Sequence, residues 1–480
     1  MLTYETAQKM SESGKIAVIT VYDLKLTTAI DADEQNIILS AEEKPNVHWE
    51  DVIVNRDVKD ELQYFQQYLK NPKDYLNKGA KAPKGILLYG PPGTGKTTLA
   101  KVMATESDVT FLSVSADQFI SKWAGEGPQS VHHIFSVARK YAPAILFIDE
   151  IDAIGCRRTG SESHDGKQEI LNALLTEMDG FKVSKNKPVL VMAATNLGGN
   201  NGNTGALDPA LVRRFDRSIC VDLPDKESRI RLIRLLCRKN PIIRISDNMI
   251  ESLSERSIGM SPALIEGAFS AAIREAIRTE ADVNDEIMDE AFEKYNNGEE
   301  KHWAKDELIK TARHEAGHAY VSYYLGNMPS YLTIAARDDH GGYMLDSGNE
   351  KKGSYSKKDL LDRIAVAMGG RAAELIYYGN AEGLTTGPSG DLQTAASIAY
   401  NMICKYAMYE EIAPCAMPDN NKDLPEVREL AGKIIREQLN FAMEIIKEHS
   451  EIFDVLVDEL MNKTHLNKKE LEALLLHSHS

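Results

Sequence analysis

The chain has 480 residues, more than one hydrophobic core usually serves, so we expect about two or three domains. Apolar residues make up 43% and charged residues 27% of the chain, and this ordinary globular composition excludes disorder on a large scale. The net charge of −16, without clusters of Lys and Arg, excludes a binder of duplex nucleic acid.

Cysteine usage and hydropathy bear on the compartment. The five cysteines are scattered and form no Cys-x-x-Cys pair, which argues against a disulfide framework and favours a reducing cytoplasm. No apolar run reaches the roughly 18 residues of a membrane helix, and the longest N-terminal run, 16–22, is bounded by Lys15 and Asp23. We therefore expect a soluble protein without a signal peptide or a membrane span.

The first half of the chain reads as a short lead-in followed by an α/β domain. Alternating apolar and polar residues predict a partly β segment within residues 1–45. In residues 46–224, short β-rich runs alternate with helical segments, which predicts a parallel sheet with helices on both faces. The predicted strands are 86–89, 110–114, 144–148, 189–193 and 218–221.

The second half is predicted to be mostly helical. Residues 225–300 carry apolar side chains at helix-face spacing and predict a small helical lid. Residues 301–480 predict a third, mainly α-helical domain, interrupted at 331–344 by a Gly-bearing stretch that is typical of a hairpin. Residues 427–460 predict a long amphipathic helical region near the end of the chain.

A phosphate-binding loop follows the first predicted strand of the sheet. Glycines let backbone N–H groups turn toward the phosphates, the lysine adds positive charge, and the threonine hydroxyl can bind Mg²⁺. A chance Gly-rich turn is the alternative, but the strand before the loop and the helix after it are the context that the motif requires. The residues predicted to bind ATP here are Gly90, Pro91, Pro92, Gly93, Thr94, Gly95, Lys96, Thr97 and Thr98.

Two acidic residues end another predicted strand. Asp149 and Glu150 follow the apolar run 145–148, at the edge where parallel sheets present their active sites. Asp149 is predicted to hold Mg²⁺ with the nucleotide, and Glu150 to polarise the attacking water. Asn196, at the end of the neighbouring strand, is placed to orient that water.

A candidate zinc helix begins the last domain. Asp306 is predicted to cap a helix that runs past His318 and ends at Gly326. Four residues of separation put His314 and His318 on one helical face, which suits two ligands of a tetrahedral Zn²⁺. Glu315 is then a candidate base for a zinc-activated water. The bare pattern also occurs by chance in helices.

The ATP-binding motifs, followed by 207–217, resemble the AAA ATPase family. The resemblance implies that Arg214 and Arg217 enter the ATP site of a neighbouring subunit in a six-membered ring. An arginine that enters a neighbouring site in this way is called an arginine finger. The family's usual Pro-Gly between the positions of Arg213 and Arg214 is missing, so Arg213 is an alternative arginine finger. Pairing of the arginines with surface acids such as Asp208 and Asp216 is the structural alternative.

Two further segments carry the same resemblance. Trp123, in 119–125, matches the aromatic of the family's central-pore loop, which grips extended polypeptide. A Trp packed on its own subunit is the alternative. Val52 and Ile53 match the segment that contacts adenine, although Val54 replaces the usual glycine.

From about residue 47 to 475 the chain resembles FtsH-type ATP-dependent zinc metalloproteases. The resemblance implies Asp391, in 385–392, as the third zinc ligand, while Glu374 is a rival to which we give a supporting part. A helix N-cap is the structural alternative for Asp391. The membrane-anchoring N-terminus typical of the family is missing, and relatives carry these domains on the cytoplasmic side.

The predicted protein is therefore a homo-hexameric enzyme that uses ATP, Mg²⁺ and Zn²⁺. A P-loop AAA ATPase domain with a helical lid would pull polypeptide substrates through a ring pore to a mostly α-helical zinc metalloprotease domain. The sequence does not decide whether a partner protein links the ring to a membrane. The alternatives are a remodelling ATPase with a vestigial protease domain and a non-catalytic recruiting subunit of a mixed ring.

Overall fold

A computed structural model describes most of the chain. The described residues are 40–42, 45–79, 82–120, 126–156, 165–180, 187–197, 207–299, 301, 303–337, 341–346, 354–379, 384–411 and 424–476. Their contacts divide them into two compact units, one within Met1–Leu235 and Gly259–Glu266 and the other within Leu236–Ile258 and Gly267–Ser480. The predicted lead-in before residue 40 lies outside the described residues.

A six-stranded sheet forms the centre of the first unit. Its strands are β1 (Ser40–Glu42), β2 (Gly85–Tyr89), β3 (Thr110–Ser115), β4 (Ala144–Asp149), β5 (Val189–Thr195) and β6 (Arg217–Cys220). The order across the sheet is β1-β3-β4-β5-β2-β6, and every pairing is parallel except that of β1 with β3. The five predicted strands are confirmed, and β1 adds an antiparallel edge.

Helices cover both faces of this sheet, as predicted. They are α1 (Arg56–Lys70), α2 (Pro72–Asn77), α3 (Lys96–Ser107), α4 (Glu126–Lys140), α5 (Asp152–Gly155), α6 (Asp165–Asp179) and α7 (Pro209–Val212). Successive residues of β2 enter different cores: Leu87 packs with α4 and α6, whereas Ile86 and Leu88 pack with α1 and α3. This alternation explains why the central strands are apolar along their whole length.

The segment predicted as a lid forms helices. They are α8 (Lys226–Lys239), α9 (Asp247–Arg256), α10 (Pro262–Thr279) and α11 (Asp285–Asn297). Ser246 caps α9 and Asn284 caps α11, in each case by accepting a hydrogen bond from a backbone N–H of the first turn. The three domain boundaries at 45, 224 and 300 remain a prediction.

The second unit continues with helices around a small antiparallel sheet. The elements are α12 (Lys305–Tyr324), β7 (Pro329–Thr333), β8 (Tyr343–Asp346), α13 (Lys357–Tyr378), α14 (Ser389–Tyr400), α15 (Pro425–Glu448), α16 (Ser450–Lys463), β9 (His465–Asn467) and α17 (Lys468–Leu476). The sheet order is β8-β7-β9. The hairpin predicted in 331–344 is confirmed by the pairing of β7 with β8.

Two local predictions differ from the structure. Asp306 does not cap α12, because the helix already begins at Lys305 and Asp306 lies in its first turn. The amphipathic region 427–460 is two helices, α15 and α16, separated at His449. None of the helices in the described ranges combines the length and the apolar character that a membrane crossing requires.

Candidate nucleotide and zinc sites

The loop between β2 and α3 has the backbone that a phosphate-binding loop needs. Three of its glycines have positive φ: Gly90, Gly93 and Gly95. A Cβ on Gly90 would lie 2.2 Å from the carbonyl oxygen of Val221, so no other residue fits there. The loop ends at the N-terminus of α3, whose free N–H groups and dipole favour an anion.

Lys96 is held inside this loop. Its Nζ donates hydrogen bonds to the carbonyl oxygens of Gly90 and Pro91, at 2.9 and 2.8 Å. Burial lowers the pKa of Lys96, against the opposing effect of Asp149. The ammonium group is therefore close to the position that the phosphates of a bound nucleotide would occupy.

The predicted acidic pair lies beside the loop, at the carboxyl end of the sheet. Thr97 Oγ1 donates a hydrogen bond of 2.9 Å to Asp149 Oδ2, so the two candidate Mg²⁺ ligands are adjacent. Glu150 is exposed and has a φ of 50°, a left-handed backbone that is uncommon outside glycine and is often found at functional sites. Asn196 follows β5, the neighbour of β4, and is also exposed.

The predicted adenine segment lies next to the same loop. Ile53 and Val54 line a small pocket together with Thr94 of the loop and Pro262 of α10. Val52 is half-buried and packs against the core of the first unit. Sequence reasoning missed Pro262; α10 also reaches the loop where the N–H of Ala263 donates to the Gly93 carbonyl at 3.2 Å.

The candidate finger arginines have partners within their own chain. Arg214 Nη2 lies 2.8 Å from Asp179 Oδ2, and Arg217 Nε lies 2.8 Å from Glu61 Oε1. Their side chains are 32% and 65% exposed, and such exposed ion pairs contribute little. Arg213 is exposed.

The structural alternative for the arginines, pairing with surface acids, is observed with Asp179 and Glu61 rather than with the two acids named as examples. Asp208 instead caps α7 by accepting from the N–H of Ala210. Asp216 Oδ2 accepts from the backbone N–H groups of Lys84 and Gly85. Trp123 lies outside the described residues, so its predicted place on a pore loop stays a prediction.

The candidate zinc ligands meet at one point. His314 and His318 lie one turn apart on α12, and Asp391 lies in the first turn of α14. Asp391 is the third residue of that helix rather than its N-cap, which is Pro388. The expectation that Asp391 also serves as an N-cap is therefore wrong, and its carboxylate is directed at the two histidines.

The spacing of the three ligand atoms suits zinc. His314 Nε2 lies 3.1 Å from His318 Nε2 and 3.3 Å from Asp391 Oδ2, and His318 Nε2 lies 3.4 Å from the same oxygen. Zinc–ligand bonds of about 2.0–2.1 Å at tetrahedral angles put neighbouring ligand atoms about 3.3 Å apart. Three corners of such a tetrahedron are therefore present, with a fourth left for water or substrate.

Hydrogen bonds on the far side of each ring fix its orientation. His318 Nδ1 donates to the Val366 carbonyl at 2.7 Å, and His314 Nδ1 donates to Glu374 Oε1 at 3.3 Å. In both rings the other nitrogen, Nε2, is thus the one available to a metal. Burial lowers the pKa of His314, but the carboxylates of Asp391 and Glu374 outweigh it and raise that pKa to about 9.

Glu374 is held by several donors and is not one of the clustered ligands. Its Oε1 accepts from Thr385 Oγ1 at 2.7 Å and its Oε2 accepts from Arg371 Nη1 at 2.9 Å. Burial raises the pKa of Glu374, but the hydrogen bonds from His314 and Thr385 outweigh it and lower that pKa. This geometry favours a supporting part for Glu374, one step behind the ligand His314.

Glu315 lies in the wall of the cavity that contains the ligands. This cavity of about 940 Å³ is also lined by His314, His318 and Asp391. Glu315 is buried, and a Cβ on Gly342 would lie 2.9 Å from its Cγ. The carboxylate is therefore packed between α12 and the start of β8, next to the ligand set.

Two glycines set how closely α12 and α13 approach each other. A Cβ on Gly317 would lie 2.3 Å from the Gly369 carbonyl oxygen, and a Cβ on Gly370 would lie 2.4 Å from Cε1 of His314. Sequence reasoning had not assigned these glycines. The signal was present, because adjacent glycines inside a long helix are costly and usually mark a close approach.

Strand β8 is tied to helix α11 by a buried polar cluster. Tyr343 Oη donates to Glu293 Oε1 at 2.9 Å, and Glu293 also pairs with Arg256 Nη2 at 2.7 Å. Burial lowers the pKa of Arg256, but Tyr331, Asp289 and Glu293 outweigh it and raise that pKa. The cluster fixes the position of Tyr343, which lines the zinc cavity.

The fold and the two sites together define a P-loop ATPase joined to a zinc peptidase. Residues 86–223 match the family model of the ATPase family associated with various cellular activities (AAA). Residues 302–474 match the model of peptidase family M41. The two matched ranges contain the phosphate-binding loop and the zinc-ligand cluster, respectively.

The relatives described here are named as ATP-dependent zinc metalloproteases of the FtsH type. The chain is 35% identical over 449 residues to ATP-dependent zinc metalloprotease FtsH 3 of Sphaerobacter thermophilus, covering 91% of this chain and 89% of the relative. It is 38% identical to FtsH of Mycoplasmopsis synoviae and of Mesomycoplasma conjunctivae, covering 90% of this chain in both cases. It spans 68% and 59% of those two relatives. The chain belongs to the FtsH family of ATP-dependent zinc metalloproteases.

Proposed function

We propose that this chain is an ATP-dependent zinc metalloendopeptidase that unfolds polypeptides and hydrolyses their peptide bonds. The observation that carries the proposal is the cluster of His314, His318 and Asp391, whose ligand atoms have tetrahedral spacing beside Glu315. A vestigial protease domain would not be expected to retain three ligand atoms at metal spacing together with an adjacent carboxylate.

Within the peptidase site each residue has a separate task. His314, His318 and Asp391 would hold Zn²⁺, which supplies a bound water of lowered pKa and polarises the peptide carbonyl. Glu315 takes the proton of the attacking water and passes it to the departing amine, as a general base and then a general acid. Glu374 and the Val366 carbonyl hold the imidazole rings in the required tautomer.

The nucleotide site supplies mechanical work. Thr97 and Asp149 would hold Mg²⁺, which neutralises phosphate charge, and Lys96 contacts the phosphate oxygens. Glu150 and Asn196 orient the water, while Ile53 and its neighbours receive the adenine. Peptide hydrolysis itself is downhill, so ATP serves unfolding and translocation.

The active assembly is a homo-hexameric ring of this chain. Hydrolysis of ATP would use Arg214 or Arg217 of a neighbouring subunit, with Arg213 as the alternative, and Trp123 grips the polypeptide in the central pore. The substrates are polypeptides of broad sequence. We place these domains in the cytoplasm, where ATP is present and thiols stay reduced, and the free cysteines of the described residues agree with this placement.

Degradation of casein tests the proposal. The purified, zinc-loaded protein should degrade casein when ATP is present, degrade it far more slowly with a non-hydrolysable ATP analogue, and stop when a zinc chelator is added. ATP hydrolysis without any casein cleavage would favour a remodelling ATPase instead. Loss of both activities would favour a recruiting subunit.

A further inference from the structure

An aromatic side chain stands at the wall of the zinc cavity without a part in the chemistry above. Trp303 precedes α12 and lines the cavity that contains His314 and Glu315. Its side chain is 36% exposed, although large aromatic residues are usually buried. An apolar ring that faces a catalytic cavity is a candidate contact for the substrate.

The indole ring lies close to the catalytic carboxylate. A Cβ on Gly341 would lie 2.6 Å from Cη2 of Trp303, and a Cβ on Gly342 would lie 2.9 Å from Cγ of Glu315. The ring and the carboxylate therefore lie against two successive glycines in the wall of the same cavity.

We propose that Trp303 forms the wall of a subsite, within the cavity of the zinc ligands, for an aromatic or aliphatic side chain of the substrate near the bond that is cut. The proposal rests on the peptidase function proposed above. Among the described residues that line the cavity, four are acidic (Glu307, Glu315, Glu374 and Asp391) and one is a lysine, Lys310, so the lining itself disfavours acidic substrate side chains. The indole ring adds a preference for apolar side chains, and it is this part of the preference that depends on Trp303.

The stacking of a substrate ring on the indole sets the expected size of the effect. Aromatic pairs contribute enough to change affinity about threefold to tenfold. A substrate with Phe at this position should be preferred over one with Asp by at least that factor. Loss of the indole should remove this part of the preference and leave the zinc ligands in place.

Two matched peptides test the subsite. They are short quenched-fluorescent peptides that differ only in Phe or Asp at one position beside the cleaved bond, and kcat/KM is measured for both. The Phe/Asp ratio should fall about threefold to tenfold in Trp303→Ala and recover in Trp303→Phe. A ratio is insensitive to the folded fraction of a preparation. An unchanged ratio in Trp303→Ala at every position tried would overturn the proposal.

Two further variants separate the ring from general effects. Gly341→Ala adds a methyl group where the indole now lies, so it should displace the ring and lower the ratio as Trp303→Ala does. Phe441 on α15 is the control, because it is 37% exposed and is not among the residues that line the cavity. Phe441→Ala should leave the ratio at its wild-type value, and a fall in this variant would contradict a specific role for Trp303.

Binding measurements keep this proposal distinct from the peptidase proposal. In a Glu315→Gln background the same labelled peptides bind without being cut, and fluorescence anisotropy gives their affinities. Tighter binding of the Phe peptide that disappears with Trp303→Ala supports the subsite even if the wild-type protein cuts nothing. Equal affinities for both peptides, with normal cleavage, would refute the subsite and leave the peptidase function intact.

Discussion

The nucleotide site and the zinc site differ in what their polar groups contact. In the nucleotide site Lys96 donates to carbonyl groups of its own loop, and Glu150 and Asn196 are exposed. The arginines that would serve a neighbouring site pair with local acids instead. In the function proposed above, Lys96 and the two arginines would exchange these contacts for contacts with a nucleotide or a neighbouring subunit.

The zinc site is arranged differently. Its two histidines are buried, and each is braced on its far side, His314 by Glu374 and His318 by the Val366 carbonyl. The close approach of α12 and α13 at Gly317 and Gly369 brings these groups together within one chain. Within one chain the described residues of the zinc site already contact one another, whereas the ATPase chemistry proposed above would also require a nucleotide and a neighbouring subunit.

The largest effect should come from a residue that acts across subunits. Replacing Arg214 by Ala should lower ATP turnover by about 10³-fold, because an arginine finger stabilises the charge of phosphoryl transfer. ATP affinity and bound zinc should stay near their wild-type values, since neither the loop nor the ligand set is changed. Turnover, nucleotide binding and metal content are measured on the same preparation.

A parallel variant decides which arginine acts. Arg213→Ala is the matched control and should retain most of the ATPase activity. Near-normal turnover in Arg214→Ala, with loss in Arg213→Ala, would move the finger to the neighbouring residue. Mixing Arg214→Ala chains with Lys96→Ala chains should restore some turnover, because a ring of both contains complete sites.

The next effect tests whether the zinc site separates chemistry from metal binding. Glu315→Gln removes a base but no ligand, so peptide cleavage should fall by at least about 10²-fold. Bound zinc should stay near one per chain, and ATP hydrolysis should continue. Metal analysis and a peptide cleavage assay check both points. A loss of zinc in this variant would place Glu315 in the ligand set and contradict its assignment as a base.

A smaller effect concerns the residue behind His314. Glu374→Ala should weaken zinc binding about tenfold to a hundredfold, as removal of outer hydrogen-bonding partners does at other zinc sites. Asp391→Ala is the comparison and should weaken it more, because it removes a ligand atom. Competition with a chromogenic chelator gives both affinities. Zinc retained fully in Asp391→Ala and lost in Glu374→Ala would reverse the two assignments.

Sequence reasoning reached the motifs but not the groups that hold them. The spacing of His314 and His318 predicts a shared helical face, because helix geometry is local. The bond from His318 to the Val366 carbonyl and the crossing at Gly317 and Gly369 depend on how α12 packs on α13. No local pattern specifies that packing, which is why these contacts required the structure.

Local patterns predicted the strands of the first unit correctly but not the helix cap of α12 or the partners of two aspartates. The strands of the first unit were predicted because continuous apolar runs are typical of buried parallel strands. The N-cap of α12 was misplaced by two residues, since it is Ala304 and Asp306 is as acceptable in a first turn as at a cap. The partners of Asp208 and Asp216 were wrong because backbone N–H groups compete with arginines for carboxylates.

The smallest effect tests how far the rigidity of the zinc site depends on the far end of α13. Ser356 caps this helix: its Oγ accepts from the Asp359 N–H at 3.1 Å, and Asp359 Oδ2 accepts from the Ser356 N–H at 2.8 Å. Ser356→Ala should cost about 1 kcal/mol and lower hydrogen-exchange protection in the first turn about fivefold. Ser354→Ala, two residues before the cap, is the control and should change little.

Because Gly370 and Glu374 lie near the opposite end of α13, zinc affinity in Ser356→Ala should remain at its wild-type value. A loss of zinc affinity comparable to that of Glu374→Ala would mean that the site is braced by the whole helix rather than by the crossing at Gly317 and Gly369.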